Sequence, residues 1–206
     1  MLDQKLIVYE ITRIGQMYFP QNGFFLEECG YNCYRSTGTD RSNAINNVRN
    51  SRDKVTVIKW FNDFWLFVEI KFILSEVGNL IPFFSLSVFQ GDRSDKVKNQ
   101  LFRAEWDSYD DNREHPQPHW HFCSIGKIEK IFDSFKDSLN SEDTELFNVV
   151  NEDFSKGIDI NEMHFAMNAL WSTNNGHIHN IDSEIEFINW FKGLLGHLKT
   201  QLEFVK

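Results

Sequence analysis

Residues Leu101 to Ile125, LFRAEWDSYDDNREHPQPHWHFCSI, gather three of the seven histidines: His115, His119 and His121. The same stretch carries five carboxylates: Glu105, Asp107, Asp110, Asp111 and Glu114. Imidazole and carboxylate are the side chains that ligate divalent metals and move protons near neutral pH. Elsewhere in the sequence these groups are not concentrated in this way.

The spacing says how they can meet. Side chains on a strand alternate between faces. In LFRAEWD, Phe102, Ala104 and Trp106 fall on one face and Arg103, Glu105 and Asp107 on the other. In HWHFCS, Trp120 and Phe122 oppose His119 and His121. If the two segments pair and bury their aromatic faces, Arg103, Glu105, Asp107, His119 and His121 converge on the remaining face. Pro116 and Pro118 stiffen the connector just before the second strand and fix the approach of His115.

Two chemistries follow. In the first, His119, His121 and a carboxylate, Glu105 or Asp107, bind one divalent metal. His115 or the second carboxylate then serves as acid or base on a metal-bound water, and Arg103 holds a phosphate or carboxylate with two parallel hydrogen bonds. Metal-dependent hydrolysis of a phosphoester in a nucleotide or nucleic acid fits that set. Two histidines and a carboxylate also suit non-haem iron chemistry, and a metal-free variant would use the histidines as acid and base. In the second, the protein is a non-catalytic interaction subunit, and the histidines and carboxylates form a structural polar network on a solvated sheet face.

RAEWD followed by HPQPHWH resembles a signature of poorly characterised bacterial families, in which an Arg/Asp/Glu-rich strand precedes a His-Pro-x-x-His-x-His strand. Pro118-His119-Trp120-His121 is similar to an element of a small family placed near toxin–antitoxin modules. The match covers about 20 residues. It implies a bacterial accessory or defence setting, and no catalytic role carries over from it.

The elements that must position this stretch predict an α+β fold in a single domain, 1–206, sheet-rich over 1–125 and helical over 126–206. Ile7, Ile11, Ile14 and Tyr18 mark an N-terminal helix stopped by Pro20 and Gly23. Phe24 to Tyr34 reads as a strand or irregular edge, and Arg35 to Lys54 as a solvated loop. Lys54–Phe61 and Phe64–Leu74 read as a hairpin turning at Asn62-Asp63, and Leu80–Gln90 as a further strand. With the two site strands, the antiparallel sheet has about five strands. Apolar periodicity then predicts helices at 128–139, 142–154 and 160–170. Ser183 and Glu186 form a capping box before the last helix, with its stripe Ile188, Phe191, Leu195, Leu198, Leu202 and Val205. A second stripe, Phe187, Trp190 and Leu194, widens only the first half of that helix. The second half, through Leu198, Leu202 and Val205, is therefore expected to be exposed and to meet a protein partner or a second copy.

Composition bounds the rest. The net charge of −9 disfavours general coating of nucleic acid. Residues 35–54 are the local exception, with Arg35, Arg41, Arg49, Arg52 and Lys54 against Asp40 and Asp53. Cys29, Cys33 and Cys123 are an odd number of cysteines, which fits a reducing compartment. The first ten residues lack the pattern of a signal peptide. The longest apolar run, LIPFFSLSVF, is too short for a membrane span. A cytoplasmic protein is expected, with no membrane partner.

Weaker constellations accompany these. Cys29 and Cys33 with His119 and His121 would make a Cys2His2 zinc site only if the fold joins two distant pairs. His164 borders the Met163/Met167 stripe, His177 and His179 alternate in a turn-rich segment, and His197 lies within the last helix. There is no phosphate-cradling glycine loop and no nucleophile elbow.

Overall fold

The computed structural model describes residues 2–48, 51–74, 78, 80–107, 116–123, 179 and 181–205. The helices expected at 128–139, 142–154 and 160–170 lie outside the described residues, as do His115, His164 and His177.

The chain enters helix α1 (Gln4–Tyr18) at Asp3, whose carboxylate accepts hydrogen bonds from the backbone N–H groups of Lys5 and Leu6. Ile7, Ile11 and Ile14 face inward from it. Gly15 is required by close packing, since a Cβ there would sit 2.2 Å from the Phe24 ring. Eight strands follow: β1 (Phe25–Gly30), β2 (Cys33–Thr37), β3 (Arg41–Val48), β4 (Ser51–Lys59), β5 (Phe64–Leu74), β6 (Leu80–Gln90), β7 (Asn99–Asp107) and β8 (His119–Phe122). Helix α2 (Glu184–Phe204) starts at Ser183, whose hydroxyl accepts from the N–H of Glu186.

All the described strand pairings are antiparallel, in the spatial order β1-β2-β5-β6-β7-β8. The β3–β4 hairpin branches from β5, touching it through Ile58↔Leu66 and Lys59↔Trp65 before β4 turns away to pair with β3. The sheet thus has eight strands where the sequence predicted about five. The difference lies in 35–54, expected to be a loop, which supplies the end of β2, all of β3 and the start of β4. Its Asn, Ser and Arg side chains hide the strand period because the hairpin is largely solvated, with Ala44 and Asn46 the buried positions of β3.

Each face of the sheet has its own cover. One face carries Phe64, Leu66, Val68, Ile70 and Phe72 of β5, Phe84, Leu86 and Val88 of β6, and Phe102, Ala104 and Trp106 of β7. Helices α1 and α2 pack on this face, and Phe84 makes edge-to-face contacts with Phe187, Trp190 and Phe191. On the other face the β3–β4 hairpin folds back over Trp65, Phe67 and Phe89, enclosing a second apolar cluster with Ala44, Val55 and Val57. Lys98 is buried beside this cluster. Its ammonium lies 4.7 Å from the Trp65 ring centroid and donates to the carbonyls of Asp92 and Asp95, so burial leaves it no unmet proton.

The second half of α2 is not exposed as the stripe suggested. Leu198 and Leu202 are fully buried in the main core, and the exposed apolar residues of this helix are Ile185 and Phe204, near its two ends. The broad face needed for burial is completed by α1, which packs along α2, so the narrow stripe is sufficient there. Among the described residues no helix is long and apolar enough to cross a membrane.

Candidate metal centre

Register builds the site. Strands β7 and β8 pair as Phe102↔Phe122, Arg103↔His121, Ala104↔Trp120 and Glu105↔His119. Directly opposed residues share a face, so Arg103, Glu105, His119 and His121 stand together on the face away from the helices. Phe102, Ala104, Trp106 and Trp120 face the main core, where Trp120 meets Phe102 edge to face. Phe122 shares that side but is half exposed at the end of β8. A bulge between Val88 and Phe89 of β6 skips Leu101, which turns into the main core, and puts Gln100 on the site face.

Three atoms converge. Glu105 Oε2 lies 2.9 Å from His121 Nε2 and 3.4 Å from His119 Nε2, and the two Nε2 atoms are 2.7 Å apart. A point equidistant from all three lies about 1.8 Å from each within their plane, so an ion at about 2.1 Å would sit about 1 Å above it. These three residues could hold a metal ion. A tetrahedral set at such bond lengths has ligand edges of about 3.4 Å, so the two imidazoles would part slightly on binding.

Glu105 is the buried anchor of the group. Its second oxygen, Oε1, pairs with Arg103 Nε at 2.8 Å, and both side chains are almost wholly buried. Burial acts to raise the Glu105 carboxyl. Hydrogen bonds from His119 and His121 and the charge of Arg103 overcome it and hold the group well below the usual carboxylate range. The carboxylate is therefore an anion at neutral pH, as a ligand must be.

Arg103 faces inward and does not reach solvent. Its Nη1 donates to the carbonyl of Asn47, on the folded-back hairpin. The neighbouring asparagine, Asn46, accepts through Oδ1 from Ser87 Oγ and Gln100 Nε2, both at 2.8 Å, while the Asn47 N–H donates to Gln100 Oε1 at 2.7 Å. The hairpin is thus a polar roof beside the histidines. Sequence reading missed Asn46, Asn47 and Gln100, because a run such as RSNAINNV carries no apolar period to declare it a strand. The only available signal was the Asn/Ser richness of a segment that had to bond to something when buried.

Asp107 lies one step further along the same face, opposite Phe83, and is nearly buried. Its N–H donates to Gln117 Oε1 at 2.8 Å, which ties the end of β7 to the segment before β8. Gln117 O also accepts from His179 N, and Trp106 Nε1 donates to His179 O, so His179 acts here through its backbone. His197 lies on α2 beside a pocket of about 210 Å³ with Trp120, Trp190 and Leu194. A single polar row crosses five strands as Arg35↔Glu69↔Ser85↔Glu105↔His119. Arg35 and Lys71 both pair with Glu69, at 2.8 and 2.6 Å.

The cysteine–histidine combination is not assembled. Cys29 and Cys33 lie on β1 and β2, and three strands separate β2 from β8. Of the basic residues of 35–54, Arg35, Arg41 and Lys54 line a cleft of about 270 Å³ between the two hairpins, together with Glu27 and Glu28. Compared with protein-family models, with curated proteins and with solved structures, the chain shows no match.

Proposed function

We propose that this protein is a metal-dependent enzyme whose centre is Glu105, His119 and His121, and that it hydrolyses a phosphoester of a nucleotide or nucleic acid. The observation that carries the reading is the meeting of two imidazole nitrogens and one carboxylate oxygen within hydrogen-bond range of one another. Glu105, His119 and His121 would hold a divalent ion, which would supply a Lewis acid for a phosphoryl oxygen and a more acidic water. Asp107 or His115 would serve as the base toward that water. Arg103 serves by fixing Glu105, since its guanidinium is buried between Glu105 and Asn47. The resemblance carried by RAEWD and HPQPHWH supports an accessory or defence role in a bacterium.

The test is elemental analysis of untagged protein beside the His119→Ala/His121→Ala variant, followed by hydrolysis of a chromogenic phosphodiester. About one metal per chain in the wild type, none in the variant, and metal-dependent turnover support the reading. Wild-type protein that takes up no Zn, Mn, Fe or Co overturns it.

A second reading rests on its own observation. Both Glu105 oxygens already have partners within the protein, Arg103 on one and His121 on the other. Such a network would lock the sheet of a non-catalytic interaction subunit. Its signature is a metal-free chain that purifies with a partner.

A further inference from the structure

A second pair of chemically competent side chains lies at the opposite edge of the sheet. Strands β1 and β2 join through a tight turn at Tyr31 and Asn32, with Asn32 in the left-handed region at φ 54°. Tyr31 is 90% exposed, and the Asn32 carbonyl accepts from Phe72 N at 2.9 Å, which pins the turn to β5. Gly30 pairs with Cys33, the residue just past the turn.

With regular pairing, Cys29 would stand opposite Tyr34 and point to the other face from Cys33. The register instead shifts between Glu28 and Gly30, and Glu28 takes the place opposite Tyr34. Cys29 is therefore the extra residue of a bulge, set against Cys33 together with Gly30. The consequence is an Sγ–Sγ distance of 3.1 Å, with Cys29 exposed and Cys33 partly so. The bulge has brought together two side chains that plain alternation would have parted. Among the described residues no histidine or carboxylate completes a metal set around them.

We propose that Cys29 and Cys33 form a reversible dithiol–disulfide site that exchanges with small-molecule disulfides of the glutathione type. Closing the bond needs the sulfurs to approach by about 1 Å, to about 2.05 Å. The steps balance as two exchanges. The exposed Cys29 sulfur, as thiolate, attacks one sulfur of the small disulfide, forms a mixed disulfide and releases one small thiol. Cys33 gives up its proton and displaces the second small thiol, forming the Cys29–Cys33 bond. The protein loses two electrons and two protons, and the small disulfide accepts both.

The order of attack follows from the surroundings. Burial, the Cys29 hydrogen bond and the charge of Glu69 push the Cys33 thiol up to about 12, against the opposing pull of Lys71. Cys33 is thus the resolving sulfur, activated by its nearness to the mixed disulfide, and Cys29 is the entry point. Cys123 sits at the far edge of the sheet, just after β8, and serves as an internal control.

The experiment treats reduced full-length protein with oxidised glutathione, alkylates the remaining thiols and reads intact and tryptic masses. The expected result is the loss of two hydrogens on the single tryptic peptide that spans both Cys29 and Cys33, with Cys123 alkylated and with reversal by dithiothreitol. Cys33→Ser should stop at a stable glutathione adduct on Cys29. Three alkylatable thiols after oxidation overturn the proposal. A persistent glutathione adduct on wild-type Cys29, or a bond between two chains, does so as well.

Discussion

Arg103 and Glu105 stand two residues apart on one strand and pair along it, Nε to Oε1 at 2.8 Å, with their side chains 2% and 3% exposed. Buried charges survive only when each is matched. The arginine holds one carboxylate oxygen and leaves the other to the histidines. Fixing a ligand in this way is the usual task of the residues behind a metal site.

The pair makes an unequal prediction for its members. Arg103→Ala leaves a buried carboxylate without its matched charge and should cost ~3–5 kcal/mol of folding stability. The double variant Arg103→Met/Glu105→Leu removes both charges and should cost clearly less than Arg103→Ala alone. Urea unfolding of the two variants decides. A double variant as unstable as the single one would mean that packing, not charge, governs this position.

Acid should act on Glu105 late. Its folded carboxyl is held well below the ordinary range, while in the unfolded chain it titrates near about 4.3. The stability it contributes is therefore fully present above that value and is lost as pH falls through the folded pKa. The stability gap between wild type and Glu105→Gln should stay constant from about pH 7 to pH 5 and shrink only below about pH 4. A gap that closes already between pH 7 and pH 5 would show that the carboxyl is not held low.

His121 and Trp120 are neighbours with opposite duties. The His121 side chain is 38% exposed, whereas Trp120 packs against the main core and the Phe102 ring. Trp120→Ala should cost on the order of 3 kcal/mol, the low end for a large aromatic deletion. His121→Ala should cost no more than about 1 kcal/mol, since it leaves Glu105 still paired with Arg103. Thermal unfolding gives the ranking, and metal content of the same samples should show loss in His121→Ala. Equal destabilisation by both would favour the purely structural network.

The site was legible because the strand period is strict over two short segments. RAEWD and HWHF each alternate without a fault, so one pairing assumption aligns every polar group. The bulge at Leu101, just before RAEWD, stayed concealed, because a slipped residue leaves no mark in the pattern. Strand β3 and the start of β4 were unreadable for a related reason, whereas residues 54–59 of β4 read correctly as a strand beside β5. The unread residues are held by Asn46, Asn47 and Gln100 and by a few apolar residues under the hairpin, not by an apolar stripe of their own. Buried Lys98 was equally silent, because its satisfaction depends on two carbonyls and an aromatic ring supplied by the fold.

Helix α2 offers the last test, because its two kinds of apolar residue predict opposite behaviour. Leu198 and Leu202 are fully buried against the sheet and α1, while Ile185 and Phe204 are 71% and 72% exposed. Placing a carboxylate at either buried leucine loses the apolar burial and adds a charge without a partner, at several kcal/mol each. Together they approach the whole stability of a domain, about 5–15 kcal/mol. Leu198→Glu/Leu202→Glu should therefore unfold the chain, with loss of its cooperative melting transition. Ile185→Glu/Phe204→Glu should leave the fold intact, within about 0.5 kcal/mol per site. If a second copy or partner meets this helix, it must use those exposed positions, and the second variant alone should then sediment as the smaller species. A folded Leu198→Glu/Leu202→Glu protein would show that the helix does not close the main core.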